Sequence, residues 1–343
     1  MSTVKKLISI ILCLALALPL AGCGGTVASG SCGESLTWTL SKGGVLSISG
    51  TGAMNDFFAG SVPWSEYRNE ISSVVIENGV TSIGSFAFSA CIRLVTLDIP
   101  ASVTSIEYSS FIDCSAFTDI SVAEDNADFS SVDGVLFNKD RTTLVCCPAG
   151  KSGGYTIPDG VKNIGASSFN DCSRLSAINI PDSLTSIGFD AFLDCSARIN
   201  VSADNANYSS ADGVLFDKSK TTLLHYPAGR SGSYTVPDGV VYIGDSSFYD
   251  CDSMTSVKLP ESLTYIGWGA FFGCSSLAAV SIPANVSFIA SGAFDWCTAL
   301  TEINVAADNA KYSSADGVLF DKDKTWIILC PAGSPAAYPS PQA

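Results

Sequence analysis

A unit of 23 residues recurs along most of this 343-residue chain, and that repeat leaves it few folds to choose from. Each copy approximates Val/Leu-Thr-x-Ile-Gly, then an Ala/Ser-Phe pair, a cysteine three residues after the Phe, and an alternating apolar segment that often ends on proline. The isoleucines are Ile83, Ile106, Ile164, Ile187, Ile243, Ile266 and Ile289. The phenylalanines are Phe88, Phe111, Phe169, Phe192, Phe248, Phe271 and Phe294, and the cysteines are Cys91, Cys114, Cys172, Cys195, Cys251, Cys274 and Cys297. One such unit cannot bury its own apolar face, so successive units must stack into a solenoid.

The alternating segments supply the sheet. Leu97/Ile99, Ile120/Val122, Tyr155/Ile157, Ile178/Ile180, Ile199/Val201, Tyr234/Val236, Val257/Leu259, Val280/Ile282 and Ile303/Val305 are inward pairs by their period of two. Pro100, Pro181, Pro260 and Pro283 end their strands. A second unit interrupts the coils three times, from Asp125, Asp204 and Asp308: Asp-Asn-Ala, then Ser-Ser-x-Asp-Gly-Val-Leu-Phe, a charged turn, an apolar strand and Pro-Ala-Gly. In the first copy, Val135 to Phe137 and Thr143 to Cys146 read as a β-hairpin. The order is two coils, insert, two coils, insert, three coils, insert.

The composition fits a thin stacked solenoid: 47% of residues are hydrophobic and 15% charged, against roughly 25% charged in ordinary domains. A net charge of -15 disfavours nucleic acid and anionic lipid as partners. At the N-terminus, Lys5 and Lys6 precede an apolar run from Leu7 to Leu20, the layout of an export signal. The signal closes on Leu20-Ala21-Gly22-Cys23, which resembles the lipobox of bacterial lipoproteins and implies that Cys23 is acylated and becomes the first mature residue. Removing the signal takes away two lysines and no acid, leaving 16 basic against 33 acidic residues, or -17.

The seven copies, with their Phe-x-x-Cys spacing, closely resemble the BspA-like leucine-rich repeat family of bacterial surface proteins, from about Val74 to Pro331. The implied fold is a right-handed leucine-rich-repeat β-solenoid or horseshoe, with short turns or helical segments on its convex side. The expected divisions are a signal over 1–22, a lipidated tether over 23–35, an N-terminal β-hairpin cap over 36–73 and the solenoid over 74–331. Inserts fall near 123–154, 202–233 and 306–337, and a Pro-rich tail over 332–343 either blocks the last edge or marks a truncated ancestor. The resemblance implies a lipid-anchored cell-surface protein that binds an extracellular protein or glycan in adhesion. A lipoprotein capturing peptide or glycan for uptake is the alternative.

Site residues are weighed on that frame. With one histidine, His225, and no nucleophile-base pair or acid pair fixed by spacing, the chain is read as a non-enzyme without cofactor or metal. The Asp-Asn loops lack an EF-hand's alternating ligands and read as turns rather than Ca²⁺ sites. Seven of the thirteen cysteines share one repeat position, which favours a buried thiol ladder over bridges or metal ligation. The outward ladder residues, among them Asp98, Ser121, Asn179, Asn200, Lys258 and Asn304, are candidate ligand contacts. So are Tyr108, Phe189 and Trp268, which share one coil position, and Phe272. These aromatics either pack under the inserts, the preferred reading, or form exposed patches.

Overall fold

A computed structural model describes residues 25–107 and 109–333. The signal over 1–22, Cys23, Tyr108 and the tail from 334 onward lie outside the described residues.

Strands at Ser73–Ile76, Thr96–Ile99 and Asp119–Val122 stack in parallel, with Leu97 facing Ile120 and Ile99 facing Val122. Every repeat coil adds a second strand carrying the repeat isoleucine, two residues long in all but the first, as in Asn163–Ile164 against Ser186–Ile187. The chain thus winds through two parallel ladders joined by turns. Helix among the described residues is confined to one 3₁₀ turn, Ser65–Tyr67, in the cap.

The repeat residues fill the interior of the stack. Phe88 and Phe111 stack at 5.9 Å, Phe169 and Phe192 at 5.4 Å, and Phe248, Phe271 and Phe294 continue the column at 4.7 and 5.2 Å. Each fully buried side chain of this kind contributes roughly 1.5–3 kcal/mol. The glycine after the isoleucine allows close approach: a Cβ on Gly188 would lie 2.5 Å from the backbone nitrogen of Ala166, one coil back.

The N-terminal cap begins earlier than expected. Thr26–Ser31, assigned above to the tether, is a strand pairing antiparallel with Leu36–Ser41, and Cys32 behind it is fully buried. This strand is held through its backbone and exposes nearly every side chain, so composition gives no sign of it. Val45–Gly50 then pairs in parallel with Ser73–Ile76, which makes the cap the first rung of the ladder. Trp64 is fully buried, stacks on Phe88 at 6.0 Å and donates from Nε1 to the Ala87 carbonyl, so it starts the ring column.

The inserts are rungs as well. Phe129–Val132, Val135–Asn138 and Thr143–Cys146 form an antiparallel meander whose last strand pairs in parallel with Asn163–Ile164. The middle strand is a septum: Leu136 packs into the core on the cap side, whereas Val135 and Phe137 pack into the next core. Leu215 and its neighbours Val214 and Phe216 divide the second and third cores in the same way. Burial on both faces is why Val-Leu-Phe is a continuous apolar run and not an alternating one.

A buried asparagine clamps each insert. Asn126 donates to the carbonyls of Pro100 and Val103 and accepts from the amides of Asp128 and Phe129. Asn205 and Asn309 repeat the pattern. The Asp-Asn-Ala motif is therefore a hydrogen-bonding joint.

Candidate functional site

The predicted ladder stripe is outward, and its members bond to one another. Ser121 donates to the Asp98 carboxylate, Asn179 Nδ2 to Thr156 Oγ1 at 2.9 Å, and Asn200 Nδ2 to Asn179 Oδ1 at 3.0 Å. Lys258 and Asn304 line a shallow groove of about 610 Å³ across the last three-coil run, together with Thr235 and Ser281. The inserts divide the stripe, so the structure brings these residues together within runs, not as one continuous row.

On the turn side, every coil places two residues in left-handed backbone: the third after the isoleucine and the one before the cysteine, such as Asp190 and Asp194. Asp, Ser and Gly recur there because they tolerate that conformation. Trp296 occupies the second position at φ 62° and is 70% exposed. Phe189 and Trp268 are about half exposed with ring centroids 6.5 Å apart, so packing beneath an insert does not hold for this pair. Phe272 is half-buried, stacks on Tyr249 at 4.9 Å and lies 6.4 Å from Trp296.

A further aromatic column was missed in the sequence. Tyr242, Tyr265 and Phe288 each precede a repeat isoleucine, stand in register, and have centroids 5.8 and 5.0 Å apart. The other runs carry Ser82, Ser105, Asn163 and Ser186 at this position, so a comparison of repeat positions would have found it.

The insert coils also create two equivalent clefts. A regular coil needs residues 244–253 to pass between its strands, but an insert coil crosses with only 226–231, or 147–152 in the first copy. The turns of the flanking coils therefore face each other across a gap. The first cleft, of about 280 Å³, lies between the coils of Ile106 and Ile164 and is floored by Phe111, Val145 and Cys146. The second, of about 210 Å³, lies between the coils of Ile187 and Ile243 and is floored by Phe192, Leu224 and His225.

His225 is 5% exposed, and its ring stacks on Phe192 at 5.3 Å while the Tyr226 ring lies tilted against Phe248 at 5.0 Å. These two rings take the place of the phenylalanine that the insert coil lacks. Burial holds His225 neutral, with its pKa lowered to about 3. In the first insert Cys146 and Cys147 stand there instead, which removes the rings and leaves the larger cleft.

Carboxylates run beside the clefts. The Asp113 amide donates to the Asp171 carboxylate at 2.7 Å across the first joint. Burial, reinforced by the charges of Asp113 and Asp194, pushes Asp171 up to about 7. Asp250 is raised to about 6, first by burial and then by Asp194 and Asp252.

Every described cysteine is a free thiol, and the seven repeat cysteines are buried. From the second repeat coil onward their Sγ atoms donate to the coil before, for example Cys114 to the Phe88 carbonyl at 3.0 Å, Cys274 to Phe248 at 3.1 Å and Cys297 to Phe271 at 3.0 Å. Burial pushes Cys91 and Cys195 up to about 12, so both stay protonated at neutral pH. Among the described residues no group of three or more His, Cys, Asp or Glu is placed to hold a metal ion, and no helix is long and apolar enough to cross a membrane.

The sequence model of the BspA type leucine-rich repeat region matches residues 66–142, 151–229 and 228–315, with six copies. A solved leucine-rich repeat protein from Eubacterium ventriosum is 29% identical, over 83% of this chain and 73% of that one, with a TM-score of 0.54. A leucine-rich cell surface protein from Faecalibacterium prausnitzii is 25% identical over 80% of this chain and 88% of its own, with a TM-score of 0.44. The pneumococcal vaccine antigen PcpA is 16% identical over 83% and 82%, with a TM-score of 0.42. No curated protein matches the chain.

Proposed function

Because the chain belongs to the BspA-type leucine-rich repeat family, we propose that it is an exported protein, lipid-anchored through Cys23 at the bacterial cell surface, that binds an extracellular protein or glycan in adhesion to host or other cells. The observation that carries the binding role is the aromatic turn face, where Phe189 and Trp268 stand half exposed and Trp296 holds a bulky ring in left-handed backbone. Exposed aromatic groups of this kind mark interaction surfaces. The solenoid supplies an extended rigid support for them, and no cofactor or catalytic group enters the reading.

The test is to present the immobilised protein to matrix proteins, mucin and glycan arrays, beside the Trp268→Ala and Phe272→Ala variants. Saturable binding that either variant weakens supports the surface, and unchanged affinity in both removes it. For the anchor, Cys23→Ala should release the protein from membranes into the medium. A second reading, capture of a small peptide or glycan for uptake, is favoured by the two clefts. Binding of small ligands without large host proteins would select it.

A further inference from the structure

The two clefts share a backbone and differ at the positions that decide ligand chemistry. Where the first carries Ser109, Ala166 and Cys146, the second carries Asp190, Asp245 and His225. The second thus gains two carboxylates and an imidazole on an apolar floor of Phe192 and Leu224, while the first keeps one acid at its wall, Glu107.

Asp245 accepts from the Trp268 amide at 2.8 Å, a neutral donor rather than a basic partner. Asp190 is raised by burial and by the charge of Asp245, and no basic group acts on it. The Ser246 hydroxyl, also on the wall, lies beside Asp190 without a hydrogen bond of ordinary geometry. His225 gives one ring nitrogen to the Cys195 carbonyl, while Nε2 is buried without a partner. A neutral imidazole with that bond presents Nε2 as an acceptor. A buried acceptor left unpaired is costly, and a donor on a ligand would recover that cost.

We propose that the second cleft is a binding site for an organic cation: an ammonium group carried on an apolar body, as in a lysine side chain of a protein partner or a free amine. Asp190 and Asp245 hold the charge, the floor takes the apolar body, and the Phe189 ring at the rim, with Trp268 beyond it, offers a π-face to the cation. Nε2 of His225 accepts a proton donor from the ligand. The chain's own net negative charge adds to the attraction. This deepens the binding role proposed above and rests on it only for access to ligand outside the cell.

Calorimetric titration of the full chain at pH 7.5 tests it with three probes: phenethylammonium, its uncharged counterpart 2-phenylethanol, and N-acetyl-lysine amide. At least one ammonium probe should bind saturably, ten times or more tighter than 2-phenylethanol. Asp190→Asn with Asp245→Asn should weaken it at least tenfold, and His225→Phe should weaken it less. Preference for the lysine derivative assigns the source to a protein side chain, and preference for phenethylammonium assigns it to a free amine. Equal titration by the charged and uncharged probes, no saturation by any probe, or full affinity in the Asn variant would overturn the proposal. The charge comparison uses unaltered protein, so it stands even if a variant fails to fold. Matrix, mucin and glycan binding measured on the same preparations separates the two readings, because loss of cation binding alone leaves the turn-face role intact.

Discussion

The first and second insert joints are built on one frame and filled differently. Both have the asparagine clamp, the Val-Leu-Phe septum and a last strand in register with the next coil. At the second joint the ring column runs on through His225 and Tyr226, while at the first it stops at Cys146 and Cys147. Backbone register therefore does not depend on the column being continuous. The clamp and septum hold the stack, which leaves the cleft-lining side chains free to set the chemistry of each gap.

The largest expected contrast comes from removing the filler at each joint. Tyr226→Ala should lower the free energy of unfolding by about 3–5 kcal/mol, as for other large buried rings. Cys147→Ala should lower it by about 1 kcal/mol, since only a small apolar group is lost. Denaturant melts that show equal losses would break the contrast. Asn126→Ala and Asn205→Ala should instead agree, each losing about 2 kcal/mol from the backbone groups left unpaired. A clear inequality between them would mean that the joints do not share a clamp.

Acid should act on the two joints in opposite directions. Between pH 6.5 and about 3 the unfolded chain protonates His225 while the folded chain keeps it neutral, so this group lowers stability as pH falls, by roughly 1.4 kcal/mol per pH unit at most. Between pH 3.8 and about 7 the folded chain keeps a proton on Asp171 that the unfolded chain has released, so this group raises stability as pH falls. Melting curves across pH should show His225→Phe flattening the first slope and Asp171→Asn flattening the second. If both variants follow the parent profile, neither group is buried as described. The smallest effect is a gain: Cys146→Phe should place a ring over Phe111 in the roomier cleft and stabilise the chain by about 1 kcal/mol. A loss of that size would show that the gap is already filled.

Much of this frame was legible because it repeats. Ile83 and Phe88 recur at fixed spacing, and the pairs such as Ile178/Ile180 alternate, so both face and register followed from periodicity. Thr26–Ser31 was not legible, because an exposed edge strand of small residues buries nothing that would leave a pattern. Val135 to Phe137 was legible as a hairpin strand, but not as a septum, since burial on both faces leaves no alternation to say which core each side chain enters. The clefts were further from reach: Ser109 and Ala166 meet only because the insert between them crosses by a shortened turn. Of the candidate residues, Phe189 and Trp268 could be placed on one face from their shared position, but their contact over Asp245 depends on how side chains lean across two rungs.

Hydrogen exchange of individual amides tests most directly whether the inserts are rungs of one ladder. Gly165 donates to Leu144, and Gly244 to Leu223, across the joints at 2.9 Å; Gly188 donates to Ile164, and Gly267 to Ile243, between ordinary coils at 2.8 and 2.9 Å. A continuous ladder predicts comparable protection for all four amides. Fast exchange at Gly165 and Gly244, with Gly188 and Gly267 still protected, would contradict it and make the inserts appendages on a broken solenoid.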